Sequence, residues 1–199
     1  MIGDRPFGEV VAKNSLTKAE TGWTAIRRRL DTFDRASLLA LVHDLYEANG
    51  ANRRFLDARL LTSAMSIEKY RRLVADAVYP DPFSRRQVSI RDATAAITEF
   101  QRATGDVAGT VDLILTFLEA GTEQAADLGY GDDSYFAALE RKLDTVAKVW
   151  LELPPQARGD AAKRLDGIRK RAQAIGYGYG DYVADVVAAL ENSRENAEA

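Results

Sequence analysis

A glycine-tyrosine-glycine turn occurs twice in this 199-residue chain. Leu128-Gly129-Tyr130-Gly131-Asp132-Asp133-Ser134-Tyr135-Phe136 has a counterpart at Ile175-Gly176-Tyr177-Gly178-Tyr179-Gly180-Asp181-Tyr182-Val183, displaced by 47 residues from Gly129 to Gly176. Both copies join segments of helical periodicity. A period in the forties lies in the range of two-helix repeat units, which bury their apolar faces only by stacking on neighbours. No other repeat unit matches between the two halves. The expected fold is therefore all-α: stacked antiparallel helical hairpins, wound into at most a short irregular α-superhelix.

The apolar spacing predicts the helices one by one. Trp23, Ile26 and Leu30 share one face of a short helix, and core building is expected to begin at Trp23. Leu38, Leu41, Val42 and Leu45 recur at i, i+3, i+4 and i+7, giving a helix over 37–48 that Asn49-Gly50 ends through the left-handed conformation. A helix over 52–63 then closes a hairpin with it. Ser66 opens the next helix, which Tyr79-Pro80-Asp81-Pro82 must stop, because proline lacks the amide hydrogen and clashes with the preceding turn. Ser89 caps a helix to about Thr104, Gly105-Asp106 stops and restarts the chain, and Val107 to Gly121 completes a second hairpin. Helices over 134–152, 157–175 and 181–192 follow. Residues 1–22 read as an irregular arm, 23–192 as one helical domain with a subdomain junction near 79–87, and 193–199 as a frayed tail.

Composition narrows the chemistry. At 46% apolar and 29% charged residues the chain matches a globular protein. With no cysteine it has neither disulfides nor thiolate metal sites, and its one histidine leaves an imidazole-based metal centre without a second ligand. No cofactor motif, phosphate loop or nucleophile elbow is present. No window reaches the roughly 18 apolar residues of a membrane span. The start, Met1-Ile2-Gly3-Asp4-Arg5-Pro6, carries neither a secretory nor a lipidation pattern, so a cytoplasmic location is expected. Residues 1–100 hold 16 basic and 13 acidic side chains (+3), and 101–199 hold 11 and 17 (−6). A basic excess this small argues against a nucleic-acid-binding domain.

The stretch Leu38-Leu39-Ala40-Leu41-Val42-His43-Asp44-Leu45-Tyr46-Glu47-Ala48-Asn49, followed by Arg53-Arg54-Phe55-Leu56-Asp57-Ala58-Arg59-Leu60, resembles a bacterial all-helical family of unknown function. The pattern is a leucine-rich helix ending D-L-Y-x-x-N and a second helix with F-L-x-x-R-L. Leu113 to Gly121 and the two glycine-tyrosine turns also resemble it. The family has no assigned activity, so the resemblance implies an all-helical fold and transfers no catalytic residue.

Four groups of residues are candidates for function. Tyr130, Tyr177, Tyr179 and Tyr182 place aromatic rings on glycine-rich turns, suited to contact with a partner protein, although turn chemistry alone accounts for every glycine. Arg53, Arg54, Arg71, Arg72, Arg85 and Arg86 would form an anion- or nucleic-acid-binding stripe if one member of each pair faced a common side. Nearby acids such as Asp57, Glu68 and Asp76 favour ion pairing instead. His43 lies one turn from Glu47 and beside Asp44, the only assembly from which a general base could be built. Glu119, Glu123 and Asp127 form a carboxylate row at i, i+4 and i+8, a spacing that more often marks a solvated face than a metal site. The favoured reading is a non-enzymatic interaction or scaffold domain whose partner is another protein. Nucleic-acid binding through the arginines and an unrecognised enzyme are the alternatives, and oligomeric state stays open.

Overall fold

A computed structural model describes residues 22–61, 63–176 and 178–198. The arm at 1–22, except Gly22, and the candidate contact Tyr177 lie outside the described residues. All regular structure among the described residues is helical. The backbone divides into two units, Met1–Asn49 and Gly50–Ala199. The division falls at Asn49–Gly50, thirty residues before the expected junction at 79–87.

The first unit contains α1 (Trp23–Leu30) and α2 (Arg35–Ala48). Between them the chain turns tightly, with the amides of Thr32 and Phe33 donating to the carbonyls of Arg29 and Leu30. Asp34 caps α2 by accepting from the Ser37 amide at 2.7 Å, and hydrogen bonding from the Ser37 side chain, with that amide second, holds its carboxyl below the usual range. Neither helix contains a buried residue. Trp23, where the core was expected to start, is 68% exposed. The end of α2 also differs from expectation. Asn49 is extended (φ −164°, ψ 162°) rather than left-handed, and Gly50 opens the next helix.

The second unit comprises α3 (Gly50–Leu60), α4 (Ser63–Val78), α5 (Ile90–Thr104), α6 (Val107–Leu128), α7 (Asp133–Val149), α8 (Pro155–Ala172) and α9 (Tyr179–Glu198). Consecutive helices pack on each other across short loops, α3 on α4, α4 on α5, α5 on α6, α6 on α7 and α8 on α9. Helix α6 is the axis of this unit, because α4, α5, α7 and α8 all pack against it. Leu113, Ile114, Leu115, Phe117 and Leu118 are buried nearly in succession, which leaves its middle only the half-buried polar row Asp112, Thr116 and Glu119, as a helix largely enclosed by others requires.

Several boundaries follow the expected chemistry. Ser89 accepts from the Asp92 amide to cap α5, and Gly105 (φ 66°) ends it in the left-handed conformation. Asp106 caps α6 through the Gly109 amide at 2.9 Å. Others differ for packing reasons. Helix α6 runs through Gly121 rather than ending there. A Cβ at that position would lie 2.5 Å from Leu139 Cδ2, so the glycine marks a close crossing of α6 and α7. Ser66 lies inside α4 and is buried, not at its cap. Asp132 caps α7 by accepting from the Tyr135 amide. Helix α9 extends to Glu198, past the start of the expected frayed tail at 193.

Candidate functional site

Of the four candidate tyrosines, three are described, and the fold separates them. Helix α9 begins at Tyr179 itself, which is fully buried: its ring lies 5.4 Å from that of Phe136, and its hydroxyl pairs with Thr122 at 3.0 Å. Helix α6 supplies the hydroxyl and α7 the ring, so Tyr179 belongs to the core and is removed from any contact surface. Gly180 makes this closure feasible, since a Cβ there would meet the Ala172 carbonyl oxygen at 2.7 Å. Tyr182 is half-buried and donates to Asp144 at 2.5 Å. Tyr130 is 44% exposed, with its ring edge-on to Tyr135.

Tyr130 separates two clefts of about 440 and 430 Å³. Val88 and Tyr130 line both, with Ser134 and Arg141 on one side and Ser84 and Gln124 on the other. Gln124 is buried, and its side-chain oxygen has no hydrogen-bond partner among the described residues.

Buried phenols give the fold a pH limit. Burial pushes Tyr179 up to about 12, against the lowering effect of Thr122. The hydrogen bond to Asp144, with burial second, pushes Tyr182 up to about 12. Burial also raises Tyr70 and Tyr135 above the usual phenol range. Each phenol holds its proton more tightly folded than unfolded. Their stabilising contribution is therefore complete below about pH 10, the unfolded value, and disappears as pH rises through the folded values. In an alkaline titration, helical circular dichroism should be lost cooperatively between about pH 10 and 12, in step with tyrosinate absorbance. Complete tyrosinate formation with the helix signal intact would contradict this arrangement.

The arginines do not form a stripe. Arg54 donates to Glu99 at 3.3 Å, and Glu99 also accepts from the Tyr70 hydroxyl at 2.7 Å. Arg71 forks onto Asp112 at 2.7 and 2.9 Å, while Arg72 turns to Glu68. Arg86 reaches Asp76 at 4.0 Å. Arg53 and Arg85 are exposed. Arg54 and Arg86 share a cleft of about 530 Å³, whose wall also carries Asp76, Asp92 and Glu99. Acids thus answer Arg54, Arg71, Arg72 and Arg86 locally, which weighs against the anion-binding surface the sequence raised.

The carboxylate row on α6 faces α8. Glu119 accepts from Arg164 at 2.7 and 2.6 Å, and the same guanidinium donates to Asp112 at 2.8 Å and to the Thr116 hydroxyl. Burial opposes the Arg164 charge, but Glu119 and Asp112 outweigh it and raise its pKa. Arg171 pairs with Asp127 at 2.6 Å, and Asp127 also accepts from Tyr79. The row is a helix–helix fastening made of ion pairs. Among the described residues no group of three or more histidines and carboxylates is arranged to hold a metal ion. His43, Asp44 and Glu47 are all exposed on α2, and none lines the clefts above.

The feature that periodicity alone did not reveal is on α1 and α2. Leu39 is 58% exposed and Leu45 48%, and Ile26, Phe33, Leu38 and Val42 are exposed beside Trp23. An apolar stripe is legible in sequence, but whether anything covers it is not. Among the described residues no helix is long and apolar enough to cross a membrane. No protein-family model, curated protein or solved structure matches the chain, and the resemblance of its leucine-rich helix to an uncharacterised family finds no counterpart there.

Proposed function

We propose that the chain is a non-enzymatic interaction module in which α1 and α2 dock against protein, joined through Asn49-Gly50 to the helical unit of α3 to α9. One observation carries this reading: two helices rich in large apolar side chains bury none of them. With a large side chain exposing on the order of 150–250 Å² when free, the seven exposed residues leave roughly 600 Å² of apolar surface. Gathered on one face, that area would equal the largest apolar patches of ordinary monomers, which are often functional. Helices of 8 and 14 residues are also marginal without tertiary packing, so a docked surface would stabilise them. The local pairing of Arg54, Arg71, Arg72 and Arg86 favours this reading over nucleic-acid binding. A chain without cysteine needs no oxidising compartment, which supports a cytoplasmic location.

The test is photocrosslinking in cells, with benzoylphenylalanine replacing Leu39 in the full chain and, as control, replacing the 98% exposed Phe83. A discrete protein adduct from position 39 and none from position 83 is expected. Absence of a discrete adduct from position 39, or the same adduct from both positions, would remove the interaction reading.

A further inference from the structure

The cleft on the Ser84 side of Tyr130 points to a small molecule: we propose that it binds a free adenine mononucleotide, with the base between the Gln124 carboxamide and the Tyr130 ring and the phosphate on Arg86. Every residue of this site belongs to the unit of α3 to α9, so it goes beyond the docking surface on α1 and α2 and does not depend on it.

Gln124 carries the argument. Three polar side chains of α6 are buried. Thr110 donates to the Asp106 carbonyl at 2.6 Å and Thr122 pairs with Tyr179 at 3.0 Å, whereas the Gln124 oxygen has no partner among the described residues. Gln124 keeps only 5% of its exposure, and it lines the cleft. A buried acceptor left unpaired costs stability, and a donor entering the cleft removes that cost. A carboxamide offers an oxygen acceptor and an N–H donor side by side, the complement of the amino group and neighbouring ring nitrogen of adenine.

The remaining walls suit the same ligand. The cleft measures about 430 Å³, within the roughly 300–1,000 Å³ of small-molecule sites. Pro80, Pro82, Val88 and Leu128 give it apolar sides. Tyr130 meets Tyr135 at an interplanar angle of 81°, which leaves at least one face of its ring uncovered by that neighbour and able to stack on a base. The turn bearing Tyr130 is tightly seated, because a Cβ on Gly131 would lie 2.9 Å from the rings of Tyr135 and Phe136. The opposite wall is equally fixed. The Asp81 carboxylate accepts from the Phe83 amide at 2.9 Å, and its carbonyl accepts from the Ser84 amide and hydroxyl at 2.8 and 2.7 Å. Walls set in advance reduce the ordering that binding requires. Arg86, on the same loop, is mostly exposed and stands 4.0 Å from Asp76, too far for a hydrogen bond to occupy its fork. One cation with Asp76 nearby and Asp81 in the same cleft suits a single phosphate and disfavours a polyphosphate or a nucleic-acid strand.

The experiment is isothermal titration calorimetry of the full chain with adenosine monophosphate. A Kd below about 1 mM is expected. Adenosine should bind about tenfold more weakly without the Arg86 contact, and inosine monophosphate about tenfold more weakly because an oxygen replaces the amino donor to Gln124. Arg86→Gln changes an exposed side chain and should lower adenosine monophosphate to the affinity of adenosine while leaving adenosine unchanged. Gln124→Met keeps the shape and removes the unpaired acceptor. Its thermal midpoint without nucleotide should equal or exceed that of the parent, and its preference for adenosine over inosine monophosphate should vanish. No binding of adenosine monophosphate up to about 1 mM, parental affinity in Arg86→Gln, or a preference retained in Gln124→Met would overturn the proposal. Tighter binding of a single-stranded adenine hexanucleotide than of the mononucleotide would overturn it in favour of a strand. The photocrosslink from position 39 reads the other unit, so the two proposals fail separately.

Discussion

Replacing Phe100 with alanine is expected to destabilise the α3–α9 unit by about 3–5 kcal/mol, the range for a fully enclosed aromatic side chain. Phe100 has no solvent exposure, and its ring meets that of Tyr70 edge-on at 5.3 Å. It also fills the space beside Gly109, where a Cβ would lie 2.9 Å from the ring. Removing the ring loosens Tyr70, whose hydroxyl holds Glu99 in place for Arg54, so a packing change reaches the ion pair. Gly109→Ala alone should also destabilise, by about 1–3 kcal/mol, because the added methyl overpacks against Asp106 Oδ2, 2.5 Å away, as well as against the ring. In the Phe100→Ala background the ring contact is relieved and only the Asp106 contact remains, so the double variant should be more stable than the two single effects predict. Urea denaturation followed by circular dichroism measures all three, and strict additivity would refute the contact.

The second large effect is expected at Arg164. Its guanidinium joins α8 to three side chains of α6, Asp112, Thr116 and Glu119, and to the Asp112 carbonyl. Arg164→Ala leaves Glu119 without its fork and Asp112 with Arg71 alone. Loss of one partner from a buried pair costs about 3–5 kcal/mol, and with 27% of the Arg164 side chain exposed, solvent screening reduces this to about 2–3 kcal/mol. Arg164→Lys keeps the charge but reaches one acceptor at a time and should recover less than half of that loss, since a planar fork has no ammonium equivalent. Adding Glu119→Gln to Arg164→Ala should restore stability by relieving the stranded carboxylate. An Arg164→Ala midpoint indistinguishable from the parent in a thermal melt would show that the fastening contributes nothing.

Local signals were the legible part of the sequence. Ser89, Gly105 and Asp106 act through neighbours within a few residues, so their roles as cap, stop and restart could be read from the chain alone. Gly121 could not. A glycine after a long apolar run has the signature of a helix end, and only the approach of Leu139 from α7 explains why the helix continues through it. Tyr179 failed for the same reason at longer range: a tyrosine between glycines reads as exposed, yet Thr122 and Phe136, 57 and 43 positions earlier, enclose it. Pairing of the arginines with nearby acids was legible in part. Glu68 is visible one turn from Arg72, whereas Asp112 meets Arg71 only once α4 lies on α6. For α2 the spacing defined an apolar stripe, but periodicity describes one helix and carries no information about what lies opposite it.

The position of α6 in the chain has a consequence during synthesis. On the ribosome, α3, α4 and α5 emerge before α6 is translated, so the sides of α4 and α5 that pack against α6 stay open to water. At about 5–20 residues per second, the 22 residues of α6 take roughly 1–4 s to add, and the exit tunnel lengthens the wait. The nascent chain therefore presents its first three core helices to chaperones as an unfinished surface, and the arrival of one helix ends that exposure.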